Sequence, residues 1–258
     1  PVICAVIGDD QEGNDFLNLL NSQNLSAEGI LKVVGRPTTV KTRVIADNQQ
    51  IVRVDAETDE QISRDDMDLI FDKIQNIIEN QKIDAVIFED YDKGLLSQEL
   101  ITKTIELANR HEILTVVDPK KRNFLCYHHV SLFKPNLKEL REGLKVDIEP
   151  RQIQNINDAV RILQDKLQAK MVMVTLSELG VYISTAEGQQ IIPAHIRNIA
   201  DVSGAGDTVI ATATLCLASG IDACKTAEIA NLAGGLVCEQ VGVVPISFDR
   251  LLSETSKL

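Results

Sequence analysis

The chain has 258 residues, 44% of them hydrophobic, and a formal net charge of −12 at pH 7. This length and apolar content suit one large α/β domain with its own core, or one domain with a small appendage. The acidic balance and the lack of any apolar run near the ~20 residues of a membrane span predict neither a nucleic-acid partner nor a membrane partner.

The cysteines and histidines do not suggest a metal centre or a disulfide framework. The histidines show no metal-ligand spacing, and the cysteines are odd in number and form no CxxC pair. This pattern is typical of a reducing compartment, so we expect a cytoplasmic protein. The residues concerned are Cys4, Cys126, Cys216, Cys224, Cys238, His111, His128, His129 and His195.

The first third of the chain predicts a strand, a helix and a hairpin. Val2–Ile7 is a short apolar strand, and the segment DDQEGNDFLNLLNSQ carries a helix cap and one apolar face. Residues 39–55 form two β-rich arms around Asp47 and Asn48, which is typical of a hairpin. Lys41 and Arg43 share one face of the first arm. Arg53 lies on the second arm, and the sequence leaves the register between the arms open.

After residue 65 the pattern alternates between strands and helices. Apolar strands between amphipathic helices indicate a mostly parallel sheet covered on both faces. We therefore predict one α/β domain with a small β appendage made from the hairpin. The predicted helices cover about 65–80, 97–111, 151–167, 205–219 and 222–240, and the predicted strands cover 84–90, 113–119, 130–136, 171–177 and a pair within 180–193.

Four consecutive strand ends carry charged or amide side chains, in the segments EDYDKG, DPKKRN, KPNLKE and TLSELG. Each segment taken alone is more typical of a solvated loop. Ligands of parallel sheets bind beyond the carboxyl ends of the strands. Four polar strand ends in series therefore favour a binding site at that edge.

A glycine-rich turn, Ser203 to Gly206, opens the helix predicted at 205–219. It lacks the GK[ST] of a P-loop and, with Val209 at the decisive position, the third glycine of a dinucleotide fingerprint. Its backbone N–H groups can instead form an anion hole at a helix N-terminus. Asp207 is then either an ordinary capping residue or a general base beside that hole, the arrangement that phosphoryl transfer requires.

The segment DVSGAGD and the helix after it resemble the C-terminal signature of the ribokinase-like (PfkB) sugar kinases, close to D-T-x-G-A-G-D. GDDQEG, VVDPK, KPNLKE, VTLSELG and ANLAGG match the same family in the same order, over essentially the whole chain. The sequence departs from the signature at Val202, where Thr is usual. The resemblance implies a ribokinase-like three-layer α/β sandwich with a central mostly parallel sheet and a small β lid.

Within the family, RPTTVKTRVIADNQQIVRVD, DYDKG and DVSGAGDTVIA most resemble kinases of D-glycero-D-manno-heptose 7-phosphate. Leu176 departs from that branch, where Arg is expected. This resemblance implies ATP-dependent phosphorylation of the sugar's anomeric hydroxyl, for ADP-heptose and lipopolysaccharide core synthesis. A ribokinase-like kinase of another sugar or nucleoside, and a non-catalytic nucleotide- or sugar-binding protein on the same fold, remain alternatives.

The resemblance also assigns roles to residues. It makes Asp207 the base that deprotonates the sugar hydroxyl, with Gly204, Ala205 and Gly206 as the anion hole. It makes Asn136 and Glu139 the N-x-x-E element that organises Mg²⁺ and the ATP phosphates through water. The remaining matches are Thr175, Ser177, Gly180 and Asn231 for the nucleotide, and Asp201 and Ser203, near Gly242, for a monovalent cation such as K⁺.

Basic residues supply candidates for binding the phosphate of an anionic sugar. Lys41 and Arg43 belong to the hairpin, and Lys93 and Lys120 follow predicted strands. In the family such hairpins act as lids that exclude water, and some also build dimers, so we expect a lid at about 37–56 and a homodimer. The alternative is a strand face with ordinary solvated charges.

The kinase domain is predicted to occupy residues 1–258. Members of the family usually begin with a strand that carries a substrate-binding Asp, followed by a Gly-Gly element. PVICAVIGDD corresponds to a later point in the family pattern. We therefore expect the natural protein to be longer at its N-terminus.

Overall fold

The structure is a computed structural model that describes residues 1–46, 49–149, 151–195 and 197–257. The chain divides into two compact units. The first unit comprises residues 1–83 and 92–107, and the second comprises residues 84–91 and 108–258.

The described residues form strands and helices that alternate along most of the chain. The strands are β1 (Ala5–Gly8), β2 (Ile30–Val33), β3 (Val40–Ala46), β4 (Gln49–Ala56), β5 (Ala85–Glu89), β6 (Leu114–Asp118), β7 (Leu132–Phe133), β8 (Met171–Thr175), β9 (Val181–Thr185) and β10 (Gly188–Ile192). The α-helices are α1 (Gln11–Ser22), α2 (Arg64–Asn80), α3 (Gln98–Arg110), α4 (Leu137–Leu144), α5 (Ile153–Leu167), α6 (Ala205–Ala218), α7 (Ala223–Val237) and α8 (Phe248–Thr255).

In the first unit, β1 and β2 pair in parallel beside α1. Ile7, Leu20 and Ile30 form the small core of this part. Asp10 caps α1 by accepting a hydrogen bond from the Gly13 N–H, and it also accepts bonds from the backbone N–H and hydroxyl of Thr38. One carboxylate therefore fixes both the start of α1 and the segment that enters the hairpin.

The hairpin is confirmed as the antiparallel pair β3–β4, and the Asp47–Asn48 turn lies outside the described residues. The register answers the question that the sequence left open. Arg43 lies directly opposite Arg53, so the two side chains share one face of the hairpin. The other face carries Val44 opposite Val52, and both valines are exposed.

The second unit contains the six-stranded sheet, in the order β10-β9-β8-β7-β6-β5. Strands β5 to β8 are parallel, and β9 and β10 join antiparallel. The mostly parallel sheet predicted from the sequence is therefore confirmed. Because β5 to β8 run the same way, their polar carboxyl ends meet at one edge of the sheet.

Both faces of the sheet are buried along its inner strands, β6 to β9. Val116 and Met173 pack with Ile210 of α6 and Ala230 of α7 on one face. Successive strand residues point to opposite faces, so the neighbouring buried residues of the strands project to the other side. There Phe133 contacts the rings of Phe124 and Tyr127, and α4 and α5 contact β8.

Some boundaries differ from those predicted. The strand predicted at 130–136 is only the two-residue β7, because the chain turns at Pro135 into the capped start of α4. The first strand is β1, later than Val2–Ile7, while Val2 makes only an isolated bridge to Ser26. Strand β2 and helix α8 were not predicted.

Among the described residues, no helix is long and apolar enough to cross a membrane.

Candidate active site

The glycine turn begins α6. Gly204 is the N-cap residue with φ +79°, a left-handed conformation that glycine adopts at little cost. From Ala205 onward the first N–H groups of the helix have no acceptor within it. A Cβ placed on Gly206 would lie 3.6 Å from Asp118 Oδ2 and 3.9 Å from Lys134 Nζ. The Ala205 N–H donates to the carbonyl oxygen of Val202 at 3.3 Å, outside the helix. The N–H groups that follow it, the helix dipole and a nearby ammonium group suit this turn to binding a phosphoryl group.

Asp207 is an exposed residue in the first turn of α6. It is not the capping residue, since Gly204 takes that position. Its Oδ1 accepts a hydrogen bond of 3.0 Å from the hydroxyl of Tyr91. One carboxylate oxygen from each of Glu89, Asp118 and Asp207 lies within 4.8 Å of the other two. Such closely spaced carboxylates repel one another, and a proton or a divalent cation would relieve the repulsion.

Two neighbours of Asp207, Glu89 and Tyr91, have raised pKa values. Burial, followed by the charges of Asp118 and Asp207, raises the pKa of Glu89 to about 7. Burial and the Asp207 carboxylate raise the pKa of the Tyr91 phenol well above its ordinary value. Tyr91 therefore keeps its proton at neutral pH and acts as a hydrogen-bond donor to Asp207.

Lys134 is the buried cation of the site. It is 2% exposed, and its Nζ lies 2.9 Å from Asp118 Oδ2. Burial raises the pKa of the Asp118 carboxyl, and the charge of Lys134 partly opposes that effect. A lysine kept at this depth needs a charge partner, and Asp118 supplies one beside the glycine turn.

Asn136 and Glu139 meet at the start of α4. The Asn136 side chain accepts from the Glu139 N–H and the Glu139 carboxylate accepts from the Asn136 N–H, both at 2.8 Å, forming a capping box. The other oxygen of Glu139 lies 2.6 Å from Lys120 Nζ. Both oxygens of Glu139 are therefore engaged and its carboxylate is fixed in place. Its fixed carboxylate can still accept hydrogen bonds from water bound to a metal ion.

The residues matched to the nucleotide loop follow β8. Thr175 forms a parallel bridge with Asn136, so these two candidates are neighbours. Ser177 opens a short 3₁₀ turn, and Gly180 closes it with φ +96°. Asn231 on α7 donates from Nδ2 to the carbonyl oxygen of Pro193 at 2.9 Å. The structure shows this anchoring contact of Asn231, and contact with a nucleotide stays a prediction.

Asp201 ties together the turn before α6. Its carboxylate accepts from the N–H of Ser203 at 2.9 Å and from the N–H of Gly242 at 3.0 Å. Hydrogen bonds from Ser203, and then from Gly242, hold the pKa of Asp201 below its usual range. Asp201 is therefore a charged acceptor that brings residues 201–203 and Gly242 together.

The predicted phosphate-binding lysines of the first unit both contact one carboxylate. Lys41 Nζ and Lys93 Nζ each lie 2.6 Å from a different oxygen of Glu57, and Lys41 is also 3.4 Å from Asp55. Hydrogen bonds from Lys41, and then from Lys93, lower the pKa of Glu57. A phosphate bound here would have to replace Glu57 or share these lysines with it.

Arg43 is half-buried, like Lys41, and lies opposite another arginine, Arg53. Arg53 pairs with Asp55 at 2.9 Å. Like charges directly opposite in a sheet destabilise it unless an anion lies between them. This face of the hairpin therefore carries one cation more than Lys41 and Arg43, and Asp55 on the same face balances its charge.

Sequence reasoning did not single out Glu89, Tyr91, Asp118 or Lys134. All four belong to segments that the polar strand ends had marked, EDYDKG, DPKKRN and KPNLKE. The sequence marks these residues only by their position at or just after the end of an apolar strand. Which of several polar residues at each end projects toward α6 depends on strand register and the packing of the helix.

Comparison with known proteins gives a family and a fold. The profile of pfkB family carbohydrate kinases matches residues 2–248. The chain belongs to this family. Phosphofructokinase-2 from Escherichia coli in complex with potassium superposes with a TM-score of 0.81 at 18% identity, covering 98% of this chain and 80% of that one. The same enzyme in complex with fructose-6-phosphate gives a TM-score of 0.76 at 19% identity. The ribokinase-like fold is thereby confirmed.

Similar sequences include two bacterial proteins named Bifunctional protein HldE. The protein from Helicobacter pylori is 39% identical over 249 residues, which is 96% of this chain and 53% of the relative. The protein from Sulfurimonas denitrificans is 34% identical over 249 residues, covering 96% and 51% respectively. The chain thus spans about half the length of the curated relatives it matches.

Proposed function

We propose that this chain uses ATP to phosphorylate the anomeric hydroxyl of D-glycero-D-manno-heptose 7-phosphate, giving the 1,7-bisphosphate that serves ADP-heptose and lipopolysaccharide core synthesis. The observation that carries the kinase chemistry is the exposed carboxylate of Asp207 beside the glycine turn and Lys134. The heptose assignment is supported by the 39% identity to an HldE protein and by the hairpin and DYDKG segments.

The reaction follows from these groups. Asp207 accepts the proton of the sugar hydroxyl while that oxygen attacks the γ-phosphorus of ATP and the bond to the β-phosphate oxygen breaks, releasing ADP. The N–H groups at Gly204–Gly206 bind the oxygens of the γ-phosphoryl group while it is transferred from ATP to the sugar. Lys134 adds a positive charge beside them, in a site where burial strengthens electrostatic interactions.

A divalent metal would be held near α4. Asn136 and Glu139 present amide and carboxylate oxygens, the donor types that Mg²⁺ prefers, and the capping box fixes their position. When bound, Mg²⁺ neutralises charge on the β- and γ-phosphates. Lys120 holds the outer oxygen of Glu139 and keeps the carboxylate oriented. Thr175, Ser177, Gly180 and Asn231 are proposed to bind the nucleotide.

The cations of the first unit are proposed to bind the phosphate of the substrate. Lys41, Arg43 and Lys93 belong to that unit. Lys41 and Lys93 each contact one of the two oxygens of the Glu57 carboxylate, so both ammonium groups can reach one anion. A phosphate dianion carries more charge than the carboxylate it would displace. The residue range 37–56 is proposed to act as the lid of a kinase domain that occupies residues 1–258.

A monovalent cation is proposed near Asp201 and Ser203. The support is the charged carboxylate of Asp201 at the junction with Gly242, together with the potassium complex of phosphofructokinase-2. Turnover in K⁺ should then exceed turnover in tetramethylammonium at equal ionic strength.

The five free cysteines and the use of ATP fit a cytoplasmic protein.

A homodimer is proposed through the apolar face of the hairpin. Val44, Val52 and Val54 are 46%, 47% and 59% exposed on neighbouring positions of this face. Exposed aliphatic residues grouped on one sheet face are typical of association surfaces. Sedimentation of the Val52→Lys protein should show monomers where the unmodified protein shows dimers.

A substrate panel on the full natural protein tests the function. ATP consumption is measured with heptose 7-phosphate, ribose, fructose 6-phosphate and adenosine, and ³¹P NMR identifies the position of the new phosphate. Turnover confined to heptose 7-phosphate, with the new phosphate on the anomeric oxygen, is expected. Turnover with another acceptor would favour a different kinase of this fold. Tight binding of ATP and sugar without turnover of any acceptor would favour a binding protein.

A further inference from the structure

We propose that Tyr91 is a positioning residue: its hydroxyl holds Oδ1 of Asp207, so that Oδ2 is left free and aimed to accept the proton of the sugar hydroxyl. This inference rests on the proposed kinase function of Asp207. Both residues belong to the second unit, and their hydrogen bond measures 3.0 Å.

The fold brings these two residues together from distant parts of the chain. Tyr91 follows the last residue of β5 by two positions, and α6 packs directly against β5. Asp207 lies in the first turn of that helix. The contact therefore joins the carboxyl end of a strand to the start of the helix that carries the glycine turn.

The hydrogen bond lies at the surface, where it contributes little to folding. Tyr91 is 51% exposed, and Asp207 is exposed as well. Water competes for both partners at an exposed position, so this hydrogen bond to a carboxylate adds little to the stability of the fold. A role in orienting the carboxylate explains the contact better than a role in packing.

The neighbouring charges explain why the carboxylate needs to be held. Glu89 and Asp118 each place a carboxylate oxygen within 4.8 Å of one on Asp207. Repulsion favours rotamers of Asp207 that point into solvent and away from the glycine turn. A donor on Oδ1 opposes that rotation. The Tyr91 phenol supplies the donor because its proton is retained at neutral pH.

The competing interpretation is that Tyr91 blocks the base. If its hydroxyl occupied the place of the sugar hydroxyl and had to leave before turnover, removing it would raise the rate or lower KM for the sugar. Positioning predicts the opposite result. Tyr91→Phe removes the hydroxyl and keeps the ring, so it separates the two interpretations.

The test is a double-mutant cycle in the full natural protein, with ATP and the sugar phosphate that the unmodified protein accepts. Tyr91→Phe should lower kcat roughly 10-fold, as expected for a misplaced catalytic group, and leave both KM values nearly unchanged. Added to Asp207→Asn, it should lower kcat no further, because Tyr91 acts through that carboxylate. Tyr182→Phe, a hydroxyl deletion at a buried site away from the cluster, serves as the control and should keep full kcat.

An unchanged or higher kcat in Tyr91→Phe, or an equal further loss on top of Asp207→Asn, would overturn the proposal while leaving the kinase function standing. A second measurement needs no turnover and therefore survives failure of the proposed function. In a crystal structure of Tyr91→Phe, the Asp207 carboxylate should leave the rotamer that it has in the unmodified protein. An Asp207 that keeps its rotamer without the hydroxyl overturns the positioning role.

Discussion

Replacing Glu89 by Gln should remove a pH dependence from the stability of this protein. The folded chain raises the pKa of Glu89 from 4.5 to about 7. Between these two values the folded state keeps a proton that the unfolded state releases. Stability therefore falls as pH rises through this window, and the loss is complete above pH 7. Glutamine resembles the protonated carboxyl in size and charge and cannot lose the proton.

The shift of Glu89 corresponds to about 3 kcal/mol at most. About 2 kcal/mol of that falls between pH 5.5 and 8.5, a range that stays clear of the sequence pI near 4.8. Screening by solvent at a half-buried carboxyl reduces the expected effect to roughly 1–2 kcal/mol. The stability of Glu89→Gln relative to the unmodified protein should rise by that amount across the range.

Urea unfolding measures this difference. The chain has no tryptophan, so far-UV circular dichroism follows the transition. EDTA keeps divalent ions out of the carboxylate cluster. Glu187→Gln changes an exposed glutamate in the turn between β9 and β10 and controls for the loss of any carboxyl. If the curves of stability against pH are parallel for Glu89→Gln and the unmodified protein, Glu89 does not have the raised pKa in the folded state.

Three further results are expected. Gly180→Ala should lose at least about 2 kcal/mol of stability in urea unfolding, since φ is +96° and the new Cβ would lie 2.6 Å from the Ala194 nitrogen. Gly206→Ala has room for its methyl group, so unfolding should change little while kcat falls because the methyl intrudes where phosphate binds. Lys134→Met should weaken ATP binding in calorimetry and destabilise the fold by roughly 3 kcal/mol, because Asp118 stays buried without its cation. Unchanged ATP affinity in Lys134→Met, or equal unfolding of the two glycine variants, would contradict these assignments.

The periodic parts of the fold were predictable from the sequence. The apolar spacing of 151–167 and the glycine turn at 204 predict α5 and α6 closely, since each rests on a local pattern. Alternating β and α segments also predict the parallel sheet. The strand at β7 was predicted but its length of two residues could not be, because the polar and proline residues after Phe133 form a turn that Pro135 and the capping box of α4 impose.

The site was predictable only in part, for physical reasons. Asp207 and the glycine turn are adjacent in sequence, so their shared chemistry is visible in one short segment. Tyr91 reaches Asp207 across 116 positions, which only the packing of α6 on β5 determines. The pairing of Lys41 and Lys93 with Glu57 likewise depends on the hairpin register and on a loop far along the chain.

Sugar-dependent ATP turnover of Asp207→Asn, compared with that of the unmodified protein, tests whether Asp207 is the base. Asp222→Asn is the matched control, since Asp222 caps α7 and asparagine caps a helix equally well. If Asp207 is the base, Asp207→Asn should lose at least about 100-fold in kcat and keep its affinity for ATP. The kcat of Asp222→Asn should equal that of the unmodified protein. An Asp207→Asn protein that keeps its turnover would contradict the role of Asp207 as the base.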